Sequence, residues 1–263
     1  MLNESKVEEL HALMRDYFEE FRNKYVECAV LFSGGLDSSI VAFMASRVMA
    51  ARAYAVGIEG SHDLEAAEDG ALELGIPLVK ITASSADVVE ACGLLCSIFE
   101  DALERKPDRL ELSIYSPMTL AMKHVREELV FTGQGADEAF GGYGRYRKMS
   151  VHERSAAMRD DLSALLTNGI DRDRAIAMRF GKKLSTPYLS EGITHFSRAL
   201  DDSDRFMDGQ NKFLLRKLAL QMGLSAGTRA KKAMQYGSGF ERVISKEKRN
   251  LERSGIFDLK RLH

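Results

Sequence analysis

Residues 33–39, SGGLDSS, place two glycines, three serines and an aspartate directly after an apolar run. A glycine-rich loop between a strand and a helix aims backbone N–H groups and the positive end of the helix dipole at an anion. The dinucleotide pattern G-x-G-x-x-G is absent, and no lysine follows the loop as G-x-x-x-x-G-K-S/T requires. The segment therefore predicts a phosphate site that fits neither dinucleotide nor kinase-type chemistry.

A second segment, FTGQGADEAFGGY at residues 131–143, has the same order of features: a strand, a glycine turn and acids at the start of a helix. Because the carboxyl ends of parallel strands lie at one edge of a sheet, we expect Asp37 and Asp137 to meet there. Mg²⁺ takes one or two carboxylates and fills its remaining positions with phosphate oxygens and water. The pair thus predicts a magnesium site; the alternative is that Asp137 only complements a helix dipole.

The elements that carry these motifs follow from hydrophobic periodicity. Short apolar runs predict buried strands at residues 29–32, 53–58, 78–82 and 129–132. Apolar residues at three- and four-residue spacing predict helices at residues 4–22, 38–48, 63–74, 83–102 and 116–127. Beyond Asp137 the strand signals fade, and mostly helices and loops are expected.

The predicted fold class is therefore α/β, an open parallel sheet with helices on both faces and a helical C-terminal part. We expect an N-terminal amphipathic helix, an α/β domain and a mainly helical part that completes the site, at residues 1–24, 25–150 and 151–263. The N-terminal helix has two expected places, on the sheet of its own chain or on a second subunit in a homodimer.

The amino-acid composition argues against nonspecific binding to polyanions. The 263 residues are 45% hydrophobic, and 37 Lys and Arg against 39 Asp and Glu give a net charge of −2. This balance produces no field that would attract nucleic acid or an anionic membrane. There is no run of 18 apolar residues, and the N-terminal segment is charged, so a soluble, cytoplasmic protein is expected.

The number of cysteines indicates reduced thiols. An odd number of cysteines argues against a disulfide framework, and this chain has three, Cys28, Cys92 and Cys96. Cys92 and Cys96 lie one helical turn apart, so a metal or redox pair is an alternative. Their apolar neighbours favour burial in the core.

Three segments together resemble the synthetase domain of asparagine synthetases and their relatives, the β-lactam-forming synthetases, in the PP-loop ATP pyrophosphatase superfamily. They are SGGLDSS at 33–39, VGIEGSHDLEAA at 56–67 and TGQGADEAFGGY at 132–143. The similarity continues more weakly through residues 171–190 and 214–239, and spans about residues 25–240. It implies the PP-loop, adenine nucleotide alpha hydrolase-like form of the open sheet.

The resemblance implies a two-step amide synthesis that uses ATP and Mg²⁺. A small-molecule carboxylate would attack the α-phosphate, releasing pyrophosphate, and ammonia or an amine would then displace AMP from the acyl-adenylate. The implied metal ligands are Asp37 and Asp137. The positions that match the pyrophosphate loop are Ser33, Gly34, Gly35, Ser38 and Ser39. The positions that match the adenine and ribose lining are Leu31, Val56 and Gly133, and Gly57 and Thr132 beside them are further implied nucleotide-binding positions.

Two further residues match catalytic positions of the family. Lys231 corresponds to a lysine that stabilises charge on the phosphate and then on the acyl centre, although Lys232 could take its place in the alignment, and the alternative is a surface cation. Gln134 stands where the family usually has Glu, and a neutral amide can hydrogen-bond but cannot take a proton. Residues 185–190, STPYLS, lack the Arg and Asp of the family pattern, so a changed acceptor pocket is expected.

Other functions remain open at this stage. The glutaminase half of asparagine synthetases needs an N-terminal cysteine, and the sequence begins Met1-Leu2-Asn3. We therefore expect the nitrogen from solvent, from a separate glutaminase subunit or from an amine.

The alternatives to an amide ligase are an RNA-modifying adenylating enzyme, for which Arg145, Arg147 and Lys148 could supply cations, and a non-catalytic partner that binds ATP or AMP.

Overall fold

The computed structural model describes residues 2–228, 237–253 and 256. Its main sheet has five strands in the order β3-β2-β1-β4-β5, and all neighbouring strands are parallel. The strands are β1 Glu27–Leu31, β2 Ala50–Gly57, β3 Leu78–Thr82, β4 Leu129–Phe131 and β5 Lys183–Ser185. A short antiparallel pair follows, β6 Phe206–Met207 with β7 Gln210–Asn211. The predicted fold class, an open parallel sheet with helices, is confirmed.

The α-helices of the described residues surround this sheet. They are α1 Leu2–Glu19, α2 Leu36–Ser46, α3 His62–Leu74, α4 Ser85–Leu103, α5 Arg109–His124, α6 Ala136–Phe140, α7 Val151–Ala164, α8 Ile170–Arg179, α9 Glu191–Arg198, α10 Asp202–Arg205, α11 Phe213–Gln221, α12 Phe240–Lys246 and α13 Lys248–Arg253. Within the part of the chain that the structure describes, none of them combines the length and apolar character needed to span a bilayer.

The central strand β1 shows why both faces of the sheet are covered. Its side chains alternate between faces, so Cys28 and Val30 enter one core while Ala29 enters the other. The first core also receives α1, through Leu10 and Met14. The second receives α4, α5 and α12. A strand that is buried on both faces reads as a continuous apolar run, which explains the run before Ser33.

Two local features differ from the sequence predictions. Beyond Asp137, where mostly helices and loops were expected, the chain adds a fifth strand to the main sheet, and this strand, β5, pairs with β4 through Leu184 and Ser185. A three-residue strand is too short to leave a periodic signal. The helix predicted to start at residue 116 begins at Arg109, where a capping box joins Asp108 and Glu111.

The order of the strands places the candidate site. From β1 the chain moves outward in one direction through β2 and β3, and β4 and β5 then lie on the other side of β1. The carboxyl ends of β1 and β4 are therefore neighbours at the point where the order reverses, the usual ligand position in such sheets. The division at residues 24/25 and 150/151 stays a prediction.

Candidate functional site

The glycine loop connects β1 to α2 and packs against α3. Gly34 has a φ of +68°, and a Cβ there would lie 2.1 Å from the backbone oxygen of Ala66. Gly35 is the N-cap of α2 with a φ of −77°. The Ser33 backbone N–H donates to Ser38 Oγ at 3.3 Å. The loop is thus closed around the N-terminus of an eleven-residue helix, which is the arrangement that binds anions.

The two predicted metal ligands meet on a third residue, Lys212. Its Nζ lies 2.6 Å from Asp37 Oδ2 and 2.5 Å from Asp137 Oδ1. The Lys212 side chain is only 2% exposed. Burial alone would lower the pKa of Lys212, but the carboxylates of Asp137 and Asp37 outweigh it and raise the pKa. The ammonium group therefore stays charged and neutralises part of the acid pair.

A small hairpin positions Lys212. The residue follows β7 in the left-handed conformation, with a φ of 57°, and caps α11. The side-chain amide of its neighbour Asn211 donates to the carbonyl oxygens of Gly142 and Tyr143 at 3.2 and 3.3 Å. These bonds tie the hairpin to the turn after α6, which carries Asp137. A Cβ at Gly142 would lie 1.7 Å from Asp137 Oδ1, so a side chain there would displace the Asp137 carboxylate.

The residues present fit a magnesium ion that arrives with a nucleotide. Asp37 Oδ1 is buried and has no hydrogen-bond partner among the described residues. Two carboxylates are what Mg²⁺ usually takes from a protein when phosphate oxygens supply further ligands. Within the described ranges, no cluster of three or more His, Cys, Asp or Glu side chains could hold a metal by itself. The donor set is therefore incomplete without phosphate.

The positions predicted to line the nucleotide lie at the same edge. Leu31 and Val56 are half-buried in the last residues of β1 and β2, and Gly57 ends β2. Thr132, Gly133 and Gln134 follow β4 and are half-buried as well. A Cβ at Gly133 would lie 3.1 Å from Asp37 Cβ, so the two turns touch. A cavity of about 490 Å³ lies past the end of β2, lined by residues that include Ile58, Ser61 and Arg242.

Tyr188 contacts the first turn of α2, directly after the glycine loop. Its hydroxyl donates to the backbone oxygen of Asp37 at 3.1 Å, and its ring packs edge-on against Phe140 of α6. The side chain is fully buried. The segment that departs from the family pattern thus contacts both the first and the second acidic turn.

The other predicted residues lie away from the acid pair or outside the described part of the chain. Lys231 and its alternative Lys232 lie outside the described residues. All three cysteines are free and buried, which agrees with the core interpretation rather than a metal or redox pair. Arg145 pairs with Asp161, and Arg147 donates to Asn211, so two cations of the suggested RNA patch already bind within the protein.

Sequence reasoning missed Lys212. A single lysine between a turn and a helix shows no pattern, and its partners are far away in the sequence. The available signal was indirect: two acids expected at one buried edge require a counter-charge when no ligand is present. That requirement predicts a cation but cannot say which of 37 Lys and Arg residues supplies it.

The fold and the site together define a doubly wound α/β protein with a glycine loop and an acid pair at its switch point. The chain belongs to the asparagine synthase family, whose model matches residues 12–160.

Similar proteins carry the same family name. A protein of Methanocaldococcus jannaschii named as a glutamine-hydrolysing asparagine synthetase is 28% identical over 257 residues, covering 82% of this chain and 47% of the relative. Asparagine synthetase B of Escherichia coli is 24% identical over 257 residues, covering 88% of this chain and 45% of the relative. The chain therefore spans less than half the length of these relatives.

Among solved structures, the ammonia-dependent NAD synthetase of Campylobacter jejuni is similar over 98% of this chain and 89% of its own, with 16% identity and a TM-score of 0.44.

Proposed function

We propose that the protein is an ATP-dependent, AMP-forming amide ligase of the asparagine synthetase type. It would adenylate a carboxylate, release pyrophosphate and transfer the acyl group to ammonia or an amine. The observation that carries the proposal is the meeting of Asp37 and Asp137 on buried Lys212, beside the glycine loop. Family membership supports it.

The proposed role of each group follows from its charge. The N–H groups of residues 33–35 and the first turn of α2 would hold the β- and γ-phosphates, which leave as pyrophosphate. Asp37 and Asp137 would bind Mg²⁺, which when bound neutralises phosphate charge. Lys212 would add a positive charge beside the phosphates. The substrate carboxylate oxygen forms the new bond to the α-phosphorus as the bond to pyrophosphate breaks.

Two roles rest on the resemblance. Lys231 would stabilise the charge that develops at the α-phosphate and the acyl centre. Gln134 would orient the acyl group or the nucleophile by hydrogen bonds, because its neutral amide cannot act as a base. The nitrogen source, including a separate glutaminase subunit, and a homodimer stay predictions.

The test is to incubate the protein with Mg-ATP labelled at the α-phosphate and a panel of carboxylates, acidic amino acids first. We expect labelled AMP and pyrophosphate, and transfer of ¹⁸O from the carboxylate to AMP, which reports the acyl-adenylate. Asp37→Asn and Asp137→Asn keep the side-chain shape and should abolish turnover. Asp101→Asn, at an exposed position of α4, is the matched control.

The outcome also separates the alternatives. Labelled ADP in place of AMP would refute the proposal. Nucleotide binding with no turnover on any carboxylate would favour the non-catalytic partner, and tight, salt-sensitive tRNA binding would favour the RNA-modifying enzyme. Comparing Lys231→Ala with Lys232→Ala decides which lysine acts.

A further inference from the structure

Lys212 stands where a cation that bridges the acid pair would stand. Its Nζ is within 2.6 Å of one oxygen from each of Asp37 and Asp137. A magnesium ion bound to the same two oxygens would lie 2.0–2.1 Å from each, roughly in the space that the ammonium group fills. The ammonium and a bridging metal ion therefore compete for one position.

We propose that Lys212 is an internal cation that occupies the metal position of the nucleotide-free protein, so that the metal ion binds only together with the nucleotide. The proposal rests on the proposed function, because it assumes that Mg-ATP binds at this edge. It adds an order of binding: the nucleotide must be present before the acid pair is free for metal.

The charges of the cluster explain this order. In the nucleotide-free protein, one buried ammonium offsets two carboxylates. A metal ion that arrives alone must push a buried positive charge away from its partners, and among the described residues no third His, Cys, Asp or Glu is placed to complete a metal site with them. A triphosphate brings several negative charges at once, which gives the ammonium group new partners as it leaves the acids.

The surroundings of Lys212 permit such a displacement. Its backbone is held by the hairpin, through Asn211, while the four-carbon stem can rotate. The stem passes Gly142, where a Cβ would lie 2.2 Å from Lys212 Cε, so the absence of a side chain leaves room for the stem. Asp37 Oδ1, buried and without a partner among the described residues, remains ready to accept a further ligand.

The test measures Mn²⁺ binding by electron paramagnetic resonance with no nucleotide present. We expect weak binding to the wild-type protein, and binding at least about tenfold tighter to Lys212→Met, which keeps the stem and removes the charge. Lys80→Met is the matched control, because it also frees a carboxylate, Glu68, at the surface. The control should bind Mn²⁺ as weakly as the wild-type protein.

Lys212→Met could fail to fold, because it removes the ammonium group that joins the carboxylates of Asp37 and Asp137. The double variant Lys212→Met with Asp137→Asn restores the balance, and we expect it to fold and to bind no Mn²⁺ tightly. The wild-type measurement decides independently of any variant. Tight Mn²⁺ binding to the wild-type protein without nucleotide overturns this inference alone. Failure of the wild-type protein to bind a fluorescent ATP analogue with Mn²⁺ overturns the proposed function as well.

Discussion

Replacing Gly34 by alanine should destabilise the protein far more than the same change at Gly35, although both residues belong to one loop. At Gly34 the backbone has a φ of +68°, and the added Cβ would lie 2.1 Å from the backbone oxygen of Ala66. At Gly35 the φ is −77°, and the nearest neighbour of the added Cβ, Ser33 Oγ, is 3.3 Å away. Comparing Gly34→Ala with Gly35→Ala therefore separates the effect of steric strain on stability from the effect of losing a glycine.

The expected magnitudes follow from these contacts. Left-handed geometry costs a residue with a Cβ about 1–2 kcal/mol. Overlap with backbone that cannot rotate away adds about 1–3 kcal/mol. Gly34→Ala should thus lower the free energy of unfolding by about 3 kcal/mol, out of a total of about 5–15 kcal/mol for a typical protein. For Gly35→Ala, a weaker N-cap and a stiffer unfolded chain nearly cancel, each contributing about 0.5 kcal/mol.

Thermal and urea unfolding followed by circular dichroism measure both changes. For a chain of this size, about 3 kcal/mol corresponds to a fall in Tm of roughly 6–12 °C. Gly35→Ala should unfold within about 2 °C of the wild-type protein. If the two variants have the same stability within about 1 kcal/mol, the loop does not pack against α3 as described and the argument fails.

Three further predictions concern the second acidic turn, the thiols and one ion pair. Gly142→Ala would place a methyl group 1.7 Å from Asp137 Oδ1, so calorimetry should show loss of Mg-ATP binding; retained affinity would contradict the geometry. Because burial raises the pKa of the thiols to about 11 or 12, iodoacetamide at pH 8 should leave them unmodified until urea is added, as seen by mass spectrometry of Cys28, Cys92 and Cys96. Burial alone would raise the pKa of Glu111, but hydrogen bonds from Arg105 and Arg172 help hold it at about 2, below the usual 4.5. Its contribution is therefore present above the unfolded-state pKa and lost as the pH falls towards 2. Glu111→Gln should lower the free energy of unfolding by about 2 kcal/mol at pH 7, and urea titrations should show a smaller difference at pH 3.

Much of the fold could be predicted because its signals are local. The strand from Leu78 to Thr82 was predicted with its observed bounds, since glycine and proline end the helix before it. The helix after the glycine loop was predicted to within two residues at each end. Beyond Asp137 the fifth strand gives no local signal, because β5 is short and is stabilised by pairing with β4 rather than by its own pattern.

The site could be predicted only in part, for a related reason. Asp37 and Asp137 each follow a strand, so the order of the sheet brings them together. Lys212 has no such local mark: it reaches the acids because a hairpin and the side chain of Asn211 hold it there. Contacts of this kind depend on tertiary structure, and a single sequence does not display them.

The separation of Lys212 from Asp37, 175 positions along the chain, affects how the protein is made. A ribosome-bound chain that ends before the hairpin at residues 206–211 can pair its first four strands, yet it holds two acids without their counter-ion. The repulsion between the two carboxylates keeps the turns that carry them apart until Lys212 and α11 have been synthesised. Nascent chains should therefore bind phosphate groups tightly only late in synthesis, after most of the sheet has formed.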